Sequence, residues 1–387
     1  MKFVLQIADA IGDLVVRIFP QNKIESQYRF AFLVHPRNRA DVQRKYPVFK
    51  FIPSYVTDVF TKYFWPVTLS KITGLKSLKS NEEIEGYVIS ILPTAHQMFE
   101  NRSLALKRIT QACILAKKKG AKIVGLGGLT SSFSKGGLDL LDQVGINITT
   151  GHAYTSFNVT QNVFAISKYM SLDKKKVCVG VVGAAGSVGS TSAKLIAREG
   201  YMRIVLIDVE RKKHFFEDLI NEMKSLNPII HIETSHQIGD IKTCDIVIAA
   251  TNAPEALIRA TDLKWGAIIV DDAQPSDVHL DVFEREDVLV IEAGVTFTPN
   301  IKSNFNFGLK DRQDNFCCLA EVFILAANEW GEHYVINRAS LDLVDEVAKL
   351  GEKLNFRIGN FQNFRESIST EKLSYVKNCI KQNELSA

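Results

Sequence analysis

The sequence predicts an α/β protein organised around a doubly wound parallel sheet, preceded by an N-terminal α/β domain and followed by helices. Three observations predict it. Between about Lys174 and Thr298, short apolar runs alternate with amphipathic helical stretches, as in parallel strands covered on both faces. A glycine-spaced turn, Gly183-x-x-Gly186-x-x-Gly189, falls between the first of those strands and the first helix. Upstream, "GYVISILP" (Gly86–Pro93), "SLALKRITQACILAKKKG" (Ser103–Gly120) and "AKIVGLGGLTSS" read as strand, helix and strand.

In chain order, "MKFVLQIADAIGDLVVRIF" opens with apolar residues at helical spacing. Asp9 and Asp13 interrupt it and no small-residue cleavage site follows, so it reads as an amphipathic helix rather than a secretory signal. Tyr28–Pro66 is rich in aromatic and basic residues. In the central region "KKVCVGVVGAAG" is a buried strand, "SVGSTSAKLIAREG" a helix stopped by Gly200, "MRIVLIDVE" a strand and "KKHFFEDLINEMKSL" a helix. "CDIVIAATNAP", "GAIIVDDAQP" and "VLVIEAGV" are three further strands. "DNFCCLAEVFILAANEW" and "LDLVDEVAKLGEKLNF" read as helices, and the tail from Glu371 as a lysine-rich one. The expected division is an N-terminal α/β substrate domain (1–168), a Rossmann-like dinucleotide domain (169–300) and a C-terminal helical region (301–387) packing over the site.

With 387 residues the chain is long enough for two or three domains, and 46% hydrophobic with 23% charged residues is the balance of a soluble globular protein. A formal net charge of +4 does not suit a protein that coats nucleic acid. No run reaches the roughly 18 apolar residues of a membrane span. The six cysteines form no C-x-x-C pair, so neither a disulfide framework nor a metal site is expected and the cytoplasm is the natural compartment.

In the glycine-rich turn, Gly183 permits the tight bend, Gly186 lets a pyrophosphate approach the backbone, and Gly189 lets the helix pack on the sheet. Ala185, Ser187 and Val188 complete the turn and the helix N-terminus, where backbone N–H groups attract an anion. Asp208 ends the second strand, where an acid accepts the adenosine ribose hydroxyl and favours NADH. Arg211, with Lys212 and Lys213, follows at once and can pair with a 2′-phosphate, which would permit NADPH. Thr251 and Asn252, beyond the strand "CDIVIAA", are candidates for the nicotinamide side.

Cys317 and Cys318 lie one turn into a helix expected to begin at Asp311 or Asp314, where a helix N-terminus favours thiolate; Glu321, nearby, opposes it. "GLGGLTSSFSKGG" (Gly125–Gly137) and "ITTGHAYTSFN" (Ile148–Asn158) gather small and polar residues. Within them His152 and Tyr154 are candidates for acid or oxyanion donor.

Taken together, "GLGGLTSS", "TTGHAYTSFN", "VVGAAGSVGS", "DDAQP", "EAGV" and "DNFCCLAEVFILAANEW", in this order, resemble the long-chain acyl–acyl carrier protein reductases that make fatty aldehydes in cyanobacteria. The resemblance spans about Gly86 to Phe356. It implies that Cys318, in "C-L-A-E", takes the acyl group as a thioester, which reduced nicotinamide converts to an aldehyde. His152 and Tyr154 stand where the family has Asn and His, and Asp208–Val209 where it commonly has an arginine. The implied substrate is long-chain acyl-ACP or acyl-CoA. The surplus of Arg29, Arg37, Arg39, Arg44, Lys45, Lys50 and Lys62 over Asp41 and Asp58 suits an acidic carrier protein or peripheral contact with an anionic bilayer. Two other readings fit the same residues: a shikimate-type dehydrogenase without a covalent intermediate, and a non-catalytic dinucleotide-binding regulator.

Overall fold

The computed structural model describes residues 12–18, 27–305 and 307–386. Residues 1–11 of the expected N-terminal helix lie outside the described residues, whereas 12–18 are helical. The chain forms two compact units, each made of non-contiguous stretches: residues 1–151, 298–337 and 349–355 in the first, and 152–297, 338–348 and 356–387 in the second. The boundaries expected from the sequence, at 168 and 300, are continuous, whereas each of these units draws on three separate stretches.

The first unit holds a mixed six-stranded sheet in the order Lys302–Ser303, β2 (Val67–Lys76), β3 (Glu83–Ser90), β1 (Arg29–Val34), β4 (Ile123–Leu126), β5 (Asn147–Thr149). β1 pairs in parallel with β3 and β4, and β2 runs antiparallel to β3. The alternation of "RFAFLV" explains the layers. Ala31 and Leu33 face α1 (Arg102–Lys118), which supplies Ile109, Ala112, Cys113 and Ala116 to one core. Phe30 turns to the other face and meets Phe323 of α2 (Cys317–Ala327), ring centroids 5.5 Å apart. Gly125 on β4 leaves room for the same helix, since a Cβ there would lie 2.2 Å from Val322 Cγ2. A helix seated this closely on a sheet is buried almost all round, which accounts for its apolar composition.

The second unit is a six-stranded, fully parallel sheet, β6 (Cys178–Val182), β7 (Arg203–Ile207), β8 (His231–Ser235), β9 (Ile246–Ala249), β10 (Ile268–Asp271) and β11 (Leu289–Glu292), in the order 11-10-9-6-7-8. Its helices include α3 (His152–Met170), α4 (Ser187–Arg198) and α5 (His214–Leu226). Two apolar cores, one on each face of the sheet, share its alternating residues: Val179, Val181 and Ile248 on one side, Cys178, Val182 and Val247 on the other. This is the doubly wound Rossmann-like arrangement expected from the sequence. The direction of winding reverses between β6 and β9, and at such a switch point ligands bind beyond the carboxyl ends of the strands.

Candidate functional site

The strand register gathers the candidate residues of the second unit. Val182 pairs with Ile207 and with Ala249, so the residues after β6, β7 and β9 leave the sheet at one edge. Gly183 has φ +83°, and a Cβ there would meet Ala250 O at 2.5 Å. A Cβ on Gly189 would lie 2.3 Å from Gly183 O, which seats α4 directly on the turn. At Gly186 the nearest atom to such a Cβ is Gly183 O at 3.1 Å, so this glycine is not required by packing in the same degree. No side chain caps α4, and the Ser187 hydroxyl is buried without a hydrogen-bond partner. A helix N-terminus uncapped by its own chain, with a spare hydroxyl beside it, is what a phosphate needs. The residues thus fit a dinucleotide: Gly183, Ala185, Gly186, Ser187, Val188 and Gly189 would hold the pyrophosphate.

Asp208 follows β7 as expected and is buried. Its Oδ2 accepts from Ala185 N (3.0 Å) and its Oδ1 from Val209 N (2.8 Å), while Lys212 Nζ lies 3.2 Å from Oδ1. Arg211 is exposed. Thr251 donates from Oγ1 to Asp277 Oδ1 (2.6 Å) and from its backbone N–H to Oδ2 (3.1 Å), which fixes the turn after β9; Asn252 is exposed. Asp277 N–H in turn donates to Asp271 Oδ2 (3.1 Å). Burial, reinforced by the neighbouring Asp277 charge, raises Asp271 well above the carboxylate range and pushes Asp272 to about 8. The "DDAQP" motif is therefore a cluster of acids that favours the protonated state at the same edge of the sheet.

His152 opens α3, and Tyr154 on its first turn is 1% exposed, with its hydroxyl 3.4 Å from Thr296 Oγ1. Ile148–Asn158, which gathers small and polar residues, comprises the end of β5, a two-residue turn and the start of this helix.

In the first unit the cysteine pair departs from expectation. The helix starts at Cys317 rather than at Asp311 or Asp314, because Asp314–Phe316 is extended and Phe316 enters the helix with φ −63° and ψ 140°. Cys317 and Cys318 are therefore its first two residues, closer to the positive end of the helix dipole than one turn in. Cys317 is 1% exposed, whereas Cys318 is only partly buried. Gly151, with φ +78°, lies against it: a Cβ on Gly151 would sit 2.4 Å from Cys318 Cβ. Glu321, one turn along the helix, is fully buried and its Oε1 accepts from Gly151 N (3.1 Å) and from the Thr149 hydroxyl. It ties the "TTG" turn to the cysteine helix, a role that the sequence did not reveal. Thr150, between them, is buried and its hydroxyl has no hydrogen-bond partner.

The basic stretch Arg29–Lys62 is largely neutralised. Arg29 is buried and faces Glu85 (3.7 Å), Arg37 and Arg44 share Asp41 (2.9 and 3.0 Å), Arg39 pairs with Asp58 (2.7 Å) and Lys62 with Glu100 (3.2 Å). Beside them Phe51, Tyr55, Val59 and Tyr63 are exposed. No helix among the described residues is long and apolar enough to cross a membrane.

A family model described as shikimate / quinate 5-dehydrogenase matches residues 164–293, the span of the parallel sheet. Fold, turn and match together define the class: an α/β protein with a Rossmann-like unit that suits a nicotinamide dinucleotide, NADH or NADPH. Among curated proteins, the chain is 24% identical over 367 residues to aminotransferase PigE of Serratia sp. (strain ATCC 39006), covering 90% of this chain and 42% of that protein. It thus spans less than half the length of that relative. It is 25% identical over 262 residues to the long-chain acyl-[acyl-carrier-protein] reductase of Synechococcus elongatus (strain ATCC 33912 / PCC 7942 / FACHB-805), covering 64% of this chain and 74% of that one. Similar solved structures include L-tryptophan dehydrogenase from Nostoc punctiforme (12% identity, TM-score 0.37, 93% and 89% of the two chains). Shikimate 5-dehydrogenase from Listeria monocytogenes is another (10% identity, TM-score 0.36, 85% and 98%).

Proposed function

We propose that the chain reduces a long-chain acyl thioester, carried by acyl carrier protein or coenzyme A, to a fatty aldehyde through a thioester on Cys318. The observation that carries this reading is the contrast within the cysteine pair. Cys317 is sealed in the core of the first unit, while Cys318 is partly exposed at a helix N-terminus and backed by Gly151, whose lack of a side chain lets the two backbones approach. The similarity to the Synechococcus elongatus reductase supports it.

In the first step the Cys318 thiolate attacks the thioester carbonyl, and the carrier leaves as a thiolate that takes up a proton. Reduced nicotinamide, when bound, supplies the hydride that replaces the sulfur on the acyl carbon. Cys318 departs as thiolate, ready for another acyl group. An oxyanion develops in both steps and calls for donors. The Thr150 hydroxyl, buried without a partner, and His152 and Tyr154 are the residues we assign to that task. Glu321 holds the turn that presents Gly151 to the cysteine. The first unit, with its exposed Phe51, Tyr55, Val59 and Tyr63 beside basic side chains, is the part that would receive the carrier.

The test is acylation in the absence of nicotinamide. Purified protein incubated with radiolabelled palmitoyl-CoA should carry label on Cys318, and later addition of NADPH or NADH should release hexadecanal. Cys318→Ser should take up no thioester label and form no aldehyde. A shikimate-type dehydrogenase, the reading that the family match over residues 164–293 would favour, keeps most of its activity in Cys318→Ser. Retention of aldehyde formation by that variant would refute the covalent route.

A further inference from the structure

At the amino ends of the strands of the second unit, the edge opposite the glycine-rich turn, two cysteines 66 positions apart come together. Cys178 opens β6, and Cys244 stands two residues before β9. Cys178 O accepts from Asp245 N (2.9 Å) and Cys178 N donates to Asp245 Oδ2 (2.8 Å), so Cys244 is one residue out of register with Cys178 on the neighbouring parallel strand. Both side chains belong to the same apolar core. Their sulfurs are 3.8 Å apart, Cys178 Sγ–H donating to Cys244 Sγ. Gly180 makes the approach possible. A Cβ there would lie 2.9 Å from Cys244 Sγ and 3.4 Å from Cys244 Cβ, so the missing side chain leaves the slot along β6 in which that sulfur lies.

The pair has the dimensions of a disulfide that has not been closed. Adjacent strands lie about 4.8 Å apart and each residue advances about 3.3 Å, so an offset of one residue puts the two Cα atoms roughly 5.8 Å apart, in the usual range for a bridge. Bringing the sulfurs from 3.8 Å to the roughly 2.05 Å of a bond is within reach of side-chain rotation. Their chemistry also differs. When Cys178 ionises, the Cys244 thiol donates to it; this bond, opposed by burial and aided by Arg203, holds the Cys178 thiol below its ordinary value. The same bond, together with burial, pushes the Cys244 thiol up. Cys178 is thus the attacking thiolate and Cys244 its protonated partner. Both are buried, yet the exposed Lys176 and Thr243 lie within two residues of them, so the pair sits just beneath the surface.

We infer that Cys178 and Cys244 are a redox-responsive pair, which a peroxide converts to an intramolecular disulfide and a thiol reductant restores. The Cys178 thiolate attacks one oxygen of hydrogen peroxide. The O–O bond breaks, leaving a sulfenic acid on Cys178 and a hydroxide that takes up the proton the thiol had lost. The Cys244 sulfur then attacks the Cys178 sulfur, and its proton leaves with the departing hydroxide as water. In sum, two thiols and one peroxide give one disulfide and two waters, and two electrons pass from the sulfurs to the peroxide. A dithiol reverses the change by exchange and is itself oxidised to a disulfide. The bridge ties together the entries of β6 and β9, which flank the point where the winding reverses, and encloses the segment that carries α4, β7, α5 and β8. It is independent of the reaction at Cys318.

Peptide mapping tests this. Folded wild-type protein is treated with hydrogen peroxide, alkylated with N-ethylmaleimide in denaturant and digested with trypsin without reduction. Peptides 177–194 and 243–259 should emerge joined, lighter than their sum by two hydrogens. Dithiothreitol added after the peroxide and removed before alkylation should return both as alkylated thiols. Cys113, fully buried and pushed up to about 12 by burial, should remain alkylated in the same sample. Cys178→Ser and Cys244→Ser should each lose the joined species. Because the bridge closes a loop spanning 66 positions of the unfolded chain, oxidation should raise the melting temperature of the wild type, and of neither variant, by at least about 4 °C. The wild-type map needs no variant, so it decides the matter if either serine chain fails to fold. Recovery of both cysteines as alkylated thiols after peroxide, or their separate oxidation to sulfinic acids without a joined peptide, would overturn the inference.

Discussion

Alanine at Gly186 and alanine at Gly189 add the same methyl group three residues apart, yet should have opposite consequences. At Gly189 the new Cβ would lie 2.3 Å from Gly183 O, 2.8 Å from Gly183 C and 3.1 Å from Ala184 Cα. All three are backbone atoms, so no side chain can rotate away. A methyl carbon needs roughly 3.5 Å to its neighbours, so β6 and α4 must part by about 1 Å. That is the upper end of overpacking costs, about 3 kcal/mol. At about 2–4 °C per kcal/mol for a domain of this size, the melting temperature should fall by roughly 6–12 °C. At Gly186 the backbone (φ −75°, ψ 167°) suits alanine, and the methyl meets only Gly183 O at 3.1 Å and Ala250 O at 3.9 Å. A shift of a few tenths of an ångström relieves it, so the melting temperature should stay within about 3 °C of wild type. The methyl does, however, occupy the side of the turn that a pyrophosphate must approach, and NADPH affinity should drop at least about tenfold. Differential scanning fluorimetry reads the first effect and isothermal titration the second. Wild-type NADPH affinity in Gly186→Ala would show that no phosphate closely approaches this backbone. An unshifted melt in Gly189→Ala would refute the close strand–helix contact.

Gly151→Ala should abolish acylation of Cys318, because the methyl would sit 2.4 Å from Cys318 Cβ at φ +78°; NADPH affinity, measured by titration, should be unchanged, and normal labelling would contradict the coupling of this turn to the thiol. Cys317→Ala should keep aldehyde formation within about threefold of wild type while costing about 1 kcal/mol from a small buried void, read by urea denaturation. An inactive but folded Cys317→Ala would move the nucleophile one residue. Asp272, pushed to about 8 by burial and then by Asp277, stays protonated in the folded chain at pH values where the unfolded chain has ionised it. The native state then holds the extra proton, so stability falls as pH rises from about 4 to about 8 and levels off above, by about 1 kcal/mol per unit. Asp272→Asn removes this dependence, so its gain in melting temperature over wild type should grow from pH 5 to pH 8. A constant gain would show that Asp272 titrates normally.

The sequence by itself determined the second unit. β6, β7, β9, β10 and β11 are continuous apolar runs because both faces of a parallel sheet are buried, and their spacing by helices leaves little freedom in how they wind. β8 leaves no apolar run in the sequence because it is an edge strand whose residues "HIETS" are mostly exposed and therefore polar. β1, at the centre of the first sheet, was hidden inside a stretch that draws the eye by its aromatic and basic residues. The glycine spacing and Asp208 were legible for a local reason: a tight turn between adjacent elements is written in consecutive residues. Only the tertiary structure decided what depends on distant segments meeting. It set Arg338 on Ala185 across 153 positions, Glu321 on Gly151 across 170, and distinguished Cys318 from Cys317 by burial. Long-range pairs leave no periodic trace in the chain, because the energy that selects them comes from packing and from shared charge in the folded state alone.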